Sequence, residues 1–249
     1  MDSKLPNNIL LIVTAAVCVG MLFVPPIAQT QAYHQFADAT SLLGIPNALN
    51  VLSNIPFLIV GVMGLHFCWQ HRTAKNFLSI TYSIFFAGIF LTGFGSGYYH
   101  LAPNNETLVW DRLPMTLGFM ALFSAVLTEW VDRRFRYAIW PLLVVGVFSV
   151  WYWAQTDDLR LYALVQFLPM VLLVLIVGLY ESPFNEKRAL CWALGWYILA
   201  KILEAFDAQV YSLLGFISGH ALKHIAAAVT PFVILNMLKK RNITATNIV

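Results

Sequence analysis

The run FLSITYSIFFAGIFLTGFGSGYYH, Phe77–His100, contains no Asp, Glu, Lys or Arg and ends on an imidazole, and its reading decides the fold. At about 1.5 Å of rise per residue, a helix over 77–99 is long enough to cross a hydrocarbon core of about 30 Å. Working outward, comparable apolar runs lie near 8–26, 51–70, 113–131, 137–153, 159–180, 188–207 and 213–238. Composition agrees: 59% of the 249 residues are hydrophobic and 11% charged, whereas soluble domains carry about 25% charged residues. The expected fold is all-α, a polytopic transmembrane helix bundle with a seven-helix core and one extra N-terminal helix.

The first run has Lys4 before it and Pro25-Pro26 after it, as a signal peptide would. It lacks a small-x-small cleavage site, and the charges of the loops fit eight spans, so it is read as a retained helix. With both termini inside, Lys4, Arg72, Lys75, Arg133, Arg134, Arg136, Lys187, Arg188, Lys239, Lys240 and Arg241 all fall on one side, and only Arg112 and Arg160 on the other. This is the positive-inside bias, and it predicts cytosolic termini. Residues 1–30 then form the extra helix, 31–240 the seven-helix domain, and 241–249 a cytosolic tail. The net charge of +3 is scattered among short loops and not gathered into a stripe, which excludes a nucleic-acid footprint. Short loops and the lack of targeting features fit a bacterial inner membrane. Cys18, Cys68 and Cys191 are far apart and read as small buried hydrophobes. The sequon at Asn242-Ile-Thr faces the cytosol on this topology and carries no weight.

Among the six histidines, His100, and His220 with His224 four residues on, sit at membrane depth near the same ends of their runs. Positions i and i+4 share a helix face, where two imidazoles can grip one ion. Ser96 lies one turn before His100, and Asp111 opens the next run. On the eight-span topology all five converge near the non-cytosolic side, as a site between packed helices requires, because a polar side chain facing lipid is costly. Three neutral imidazoles with an open fourth position describe a catalytic zinc site, although ligand type alone also admits iron or manganese. A Ser96, His100 and Asp111 triad is the competing reading, but it leaves His220 and His224 without a role.

Gly93-Phe-Gly-Ser-Gly-Tyr-Tyr-His100, Trp110-Asp-Arg-Leu-Pro-Met115 and His220-Ala-Leu-Lys-His224, preceded by Asn50-Val-Leu-Ser-Asn54, resemble the alkaline ceramidase family. That family belongs to a superfamily of seven-helix membrane hydrolases that includes the progestin and adiponectin receptors. The resemblance covers about residues 33–238. It implies that His100, His220 and His224 bind zinc, that Asp111 orients a water and takes its proton, and that Ser96 supports the metal-bound oxygen or the oxyanion. It also implies a substrate: a membrane lipid amide such as ceramide, cut to a fatty acid and a sphingoid base.

The departure from the family lies before the first shared helix, where its members carry an acidic calcium site. Here the stretch Tyr33-His-Gln-Phe-Ala-Asp38 continues to Pro46-Asn47, so Asp38 and Asn47 could stand near two ligand positions while most carboxylates are missing. Ca2+ prefers six to eight oxygens, so tight binding is not expected; Asp38 also reads as a turn or cap residue. Lys201 and Glu204 read as a structural ion pair, Asp207 as a possible outer partner of a zinc-ligating histidine, and Asn50, Ser53 and Asn54 as helix-to-helix hydrogen-bonding residues. Tyr98, Tyr99, Trp110, Trp151 and Trp153 suit a membrane interface. The alternative function is a lipid sensor or receptor on the same scaffold with slow or no hydrolysis; the long cytosolic extension expected of a receptor is missing. A proton-relay transporter ranks behind both, because the polar groups gather on one side.

Overall fold

The structure is a computed structural model that describes residues 4–71, 77–181 and 187–241. Arg72 and Lys75, the Asn242 sequon and nearly all of the tail lie outside the described residues. Helices dominate: α1 is Lys4–Phe23, α2 Ala48–Leu52, α3 Ile55–Gln70, α4 Phe77–Leu101, α5 Asn105–Val126, α6 Ile139–Thr156, α7 Arg160–Leu179, α8 Lys187–Ala205, α9 Asp207–Leu214 and α10 Gly219–Lys240. Among the described residues, seven helical segments are long and apolar enough to cross a membrane, and α8 with α9 forms an eighth if that pair, bent by 80°, counts as one span. The chain is a multi-pass membrane protein.

The expected order of spans holds, and their ends differ for local reasons. α5 begins at Asn105, eight residues before the apolar run. The Asn104 side chain accepts from the Thr107 amide at 2.9 Å while the Thr107 hydroxyl accepts from the Asn104 amide at 3.2 Å. This capping box starts the helix within a polar stretch that hydropathy alone reads as loop. Asp111 is therefore six residues inside α5 and does not open it. The last expected run, from 213, is also corrected: α9 ends at Gly215, whose φ of 76° suits a glycine C-cap. α10 then restarts at Gly219 with Ser218 as N-cap, its hydroxyl accepting from the Ala221 amide at 3.2 Å.

α5 lies at the centre, packed on α4 and α6, while α10 packs chiefly on α8. A methyl group on Gly95 would overlap the carbonyl oxygen of Trp110, so α4 and α5 approach closely beside Ser96 and Asp111. α1 packs on α7 and is mostly exposed. From α1 the chain returns across the bundle. Ile27 accepts a hydrogen bond from the Leu159 amide at 2.8 Å, the Gln29 amide donates to Asp157 at 3.0 Å, and Arg160 donates to the Val24 carbonyl at 2.8 Å. At the opposite end of the bundle, Arg241 grips buried Glu129 with two hydrogen bonds of 2.6 and 2.7 Å. The cysteines are free thiols; Cys68 is buried, while Cys18 and Cys191 occupy exposed helix faces and are not the buried residues expected. In a membrane-spanning helix such a face meets lipid, where an apolar thiol is at no disadvantage. Of the aromatics expected at the interface, Tyr98, Trp110 and Trp151 are exposed, but Tyr99 and Trp153 are buried in the bundle.

Candidate metal centre

His100 is the last residue but one of α4, and His220 and His224 occupy the first two turns of α10, so three buried imidazoles meet at one end of the bundle. Their ligand atoms all lie within 4.8 Å of one another. Nε2 of His100 and Nε2 of His224 are 3.3 Å apart. Two nitrogens bound tetrahedrally at about 2.0–2.1 Å from one ion stand about 3.3–3.4 Å apart, so this edge already has the right length. Nε2 of His220 is buried without a hydrogen-bond partner, a cost that a cation would remove. The three residues fit a metal ion.

Other side chains orient the imidazoles. The Ser53 hydroxyl sits 3.1 Å from the Asn50 carbonyl and 2.8 Å from Nδ1 of His224. A hydroxyl has one proton to give. With that proton on Asn50, Ser53 accepts from Nδ1–H and leaves Nε2 of His224 with its lone pair free toward the cluster. Asp207 acts through the backbone: one carboxylate oxygen accepts from the His220 amide at 2.7 Å and the other from the Ala37 amide at 2.9 Å. It thus caps α10 and ties it to the loop, and does not touch an imidazole. The Asn47 side chain donates to the His100 carbonyl at 2.9 Å, holding the end of α4. Asp38 is a turn residue, its carboxylate accepting from the Thr40 amide at 2.9 Å. Asp38 and Asn47 are engaged within the chain, and the His100, His220 and His224 group is the one found among the described residues that could hold a metal.

Asp111 and Ser96 are both buried. With His224 they line a cavity of about 310 Å³ whose wall also includes Tyr33, Arg112, Lys201, Glu204 and Lys223. The expected Lys201–Glu204 pair is a triad, because Lys223 of α10 also meets Glu204, at 2.5 Å, against 2.8 Å for Lys201. One carboxylate thus ties α8 to the helix that carries two of the histidines. Through Phe57, Thr92, Met115, Gln166, Tyr197 and Ala227 this cavity adjoins a second, apolar one of about 140 Å³ that reaches Phe85 and Ile234. On α4 the two linings extend from Phe85 to Ser96, eleven residues, so the joined space runs about 17 Å along the helix axis.

The loop between α1 and α2 covers the site. The Phe36 ring lies 4.7 Å from that of His100 and 4.5 Å from that of His220. His34 bridges the Tyr99 hydroxyl at 2.9 Å and Asn105 at 2.8 Å. Tyr33 donates to Glu204 at 3.4 Å; burial, and then the nearby Glu204 carboxylate, hold its phenol well above the ordinary range, so it is a neutral donor. Neither Phe36 nor Ser53 was readable as part of the site, because an isolated Phe or Ser has no spacing signature. A search of curated proteins found no match to the chain. The sequence model of the Ceramidase family matches residues 44–244, which takes in all three histidines, Ser96 and Asp111 and leaves α1 outside. With the match covering most of the chain, this multi-pass membrane protein belongs to the ceramidase family.

Proposed function

We propose that the chain is a zinc-dependent hydrolase within the bilayer that cleaves the amide bond of ceramide-like lipids, releasing a fatty acid and a sphingoid base. The observation that carries this reading is the cluster of three histidine ligand atoms, of which His224 lines, with Asp111 and Ser96, a cavity that continues into an apolar slot. His100, His220 and His224 would hold the ion as neutral imidazoles. Zinc, when bound, supplies a Lewis acid that brings the pKa of a water toward about 7 and polarises the amide carbonyl.

The remaining work falls to the chain's own groups. Asp111 takes a proton from the attacking water and returns it to the amide nitrogen as the carbon–nitrogen bond breaks. Ser96, on the same cavity wall, donates to the amide oxygen as negative charge builds on it. The apolar slot takes a long acyl chain, and Phe36 keeps bulk water away from the imidazoles. We infer that the site lies toward the non-cytosolic face, with both termini in the cytosol of a bacterial inner membrane. The support is the positive-inside bias of the loops and the placement of the histidines at helix ends.

The test compares purified wild type with His220→Ala and Asp111→Asn on a panel of long-chain lipid amides, with metal content measured on each. Wild type should carry about one zinc and release fatty acid. Asp111→Asn should keep the metal and lose activity, and His220→Ala should lose both. Hydrolysis by both variants at the wild-type rate would overturn the assignment. Zinc binding without cleavage of any amide would turn the reading toward a lipid sensor.

A further inference from the structure

Arg112, the neighbour of Asp111, is buried to 94% and lines the same cavity. Its guanidinium lies 4.2 Å from the Trp153 ring, 4.7 Å from Tyr162 and 5.7 Å from Tyr33. One nitrogen donates to the Gln29 side chain at 2.6 Å, while Nη1 is buried with no partner. Among the described residues no carboxylate forms a salt bridge with it, although Lys201 and Lys223 of the same cavity share Glu204. Three cations therefore face two carboxylates, Asp111 and Glu204, in this wall. Aromatic faces lower the cost of burying the charge but accept none of its N–H bonds in the plane of the fork. A guanidinium so framed has the geometry for an oxyanion held by two parallel N–H bonds.

We propose that Arg112 anchors an anionic headgroup of the lipid amide, so that the preferred substrate carries an oxyanion such as a phosphate beside the scissile bond. The proposal rests on the hydrolase reading and adds the class of lipid. In a sphingoid backbone the headgroup oxygen is on the carbon next to the one that bears the amide. Asp111 and Arg112, adjacent in sequence and lining one cavity, serve those two adjacent groups. Gln29 and Tyr33 bring the α1–α2 loop to the same place, so the loop completes the headgroup pocket.

The experiment measures kcat/KM for an N-acyl sphingoid base and for its 1-phosphate with the same acyl chain. Wild type should favour the phosphate by about tenfold or more, mainly through KM. Arg112→Gln should bring the ratio near one, and Arg112→Lys should keep part of the preference. A wild type without preference, or an Arg112→Gln loss that is equal for both lipids, overturns the proposal. N-alkyl analogues of the two lipids lack the scissile carbonyl, and their shifts of thermal stability read binding without hydrolysis. The phosphate analogue should stabilise wild type more than the neutral one does, and equal shifts overturn the proposal even if Arg112→Gln does not accumulate. A free fatty acid serves as a third ligand: if its shift is the one that depends on Arg112, the residue reads the product carboxylate and the headgroup assignment fails. If neither lipid is cleaved but the phosphate analogue alone stabilises through Arg112, the anion site stands and the hydrolase reading falls.

Discussion

The hydroxyl of Ser53 stands between the Asn50 carbonyl, at 3.1 Å, and Nδ1 of His224, at 2.8 Å, and this chain of two hydrogen bonds selects the imidazole tautomer with Nε2 free. α2 and its C-cap thereby control a residue of α10 that is 171 positions away in sequence. Polar partners of this kind tune ligand basicity and ring orientation in metal sites.

Ser53→Ala should therefore weaken zinc affinity by about 10–100-fold while the protein still folds, the range typical of such outer partners. Competition with a chelator of known affinity gives the measurement, and Ser53→Thr should restore most of the loss. Unchanged affinity in the alanine variant would reduce Ser53 to a helix-packing residue.

Glu129 and Arg241 form a buried ion pair, their side chains exposed by only 2% and 9%. Removing the carboxylate takes away the charge that offsets the Arg241 guanidinium. Glu129→Gln is expected to cost about 3–5 kcal/mol of stability, read as a lower unfolding midpoint in detergent. Zinc stoichiometry measured below that midpoint should be retained, because the pair is remote from the histidines.

Gly95→Ala should separate α4 from α5, since the added methyl would overlap the Trp110 carbonyl oxygen and backbone cannot yield as a flexible side chain can. Overpacking costs about 1–3 kcal/mol in well-packed sites. Because the seam carries Ser96 and Asp111, amide hydrolysis should fall by more than tenfold, while the metal content stays near that of wild type.

Asp158 sits between α6 and α7 and is held below the usual carboxylate range, chiefly by its hydrogen bonds to the Arg160 side chain. A depressed folded-state value means that its stabilisation is present above about pH 3.9, the unfolded reference, and disappears as pH falls through the folded value. Asp158→Asn should remove that contribution at neutral pH and loosen Val24–Gln29. Hydrogen exchange at the Ile27 and Leu159 amides should then rise. Exchange that matches wild type at pH 7 would show that the ion pair does not hold the loop.

Much of the site was legible because its chemistry is rare at membrane depth. His100, His220, His224, Ser96 and Asp111 announced themselves as polar residues within or at the edges of apolar runs, and the structure brings them to one end of the bundle. The outer partners were less legible. Ser53 reads like any polar residue at a helix contact, and Asp207 reads like a partner for an imidazole; only the fold shows that it meets the His220 amide. Lys223 lies within the His-x-x-x-His motif, yet its partner Glu204 is on another helix. The run 188–207 stops close to the break at Phe206, but the short helix Asp207–Leu214 that follows escaped hydropathy, because its span is too short to stand out as an apolar run. Arg112 looked like an outlier in the loop charge bias, and its aromatic surroundings come from α6, α7 and the α1–α2 loop, which no local pattern connects.

α10 is fastened at both extremities: Asp207 and Ser218 bond its first amides, and Arg241, just past its last turn, is locked to Glu129 about 33 Å away along the axis. A rod held this way cannot slide by a helical turn without breaking one fastening. The two histidines it carries are consequently a fixed datum, against which any motion that admits a lipid must be made by other parts. The candidates are the 24–47 loop and the α8–α9 elbow, which meet α10 through Asp207 and Glu204. Both reach the histidines, the loop through Asn47 at the His100 carbonyl and the elbow through Asp207 at the His220 amide, so a movement that opened the cavity would be felt there.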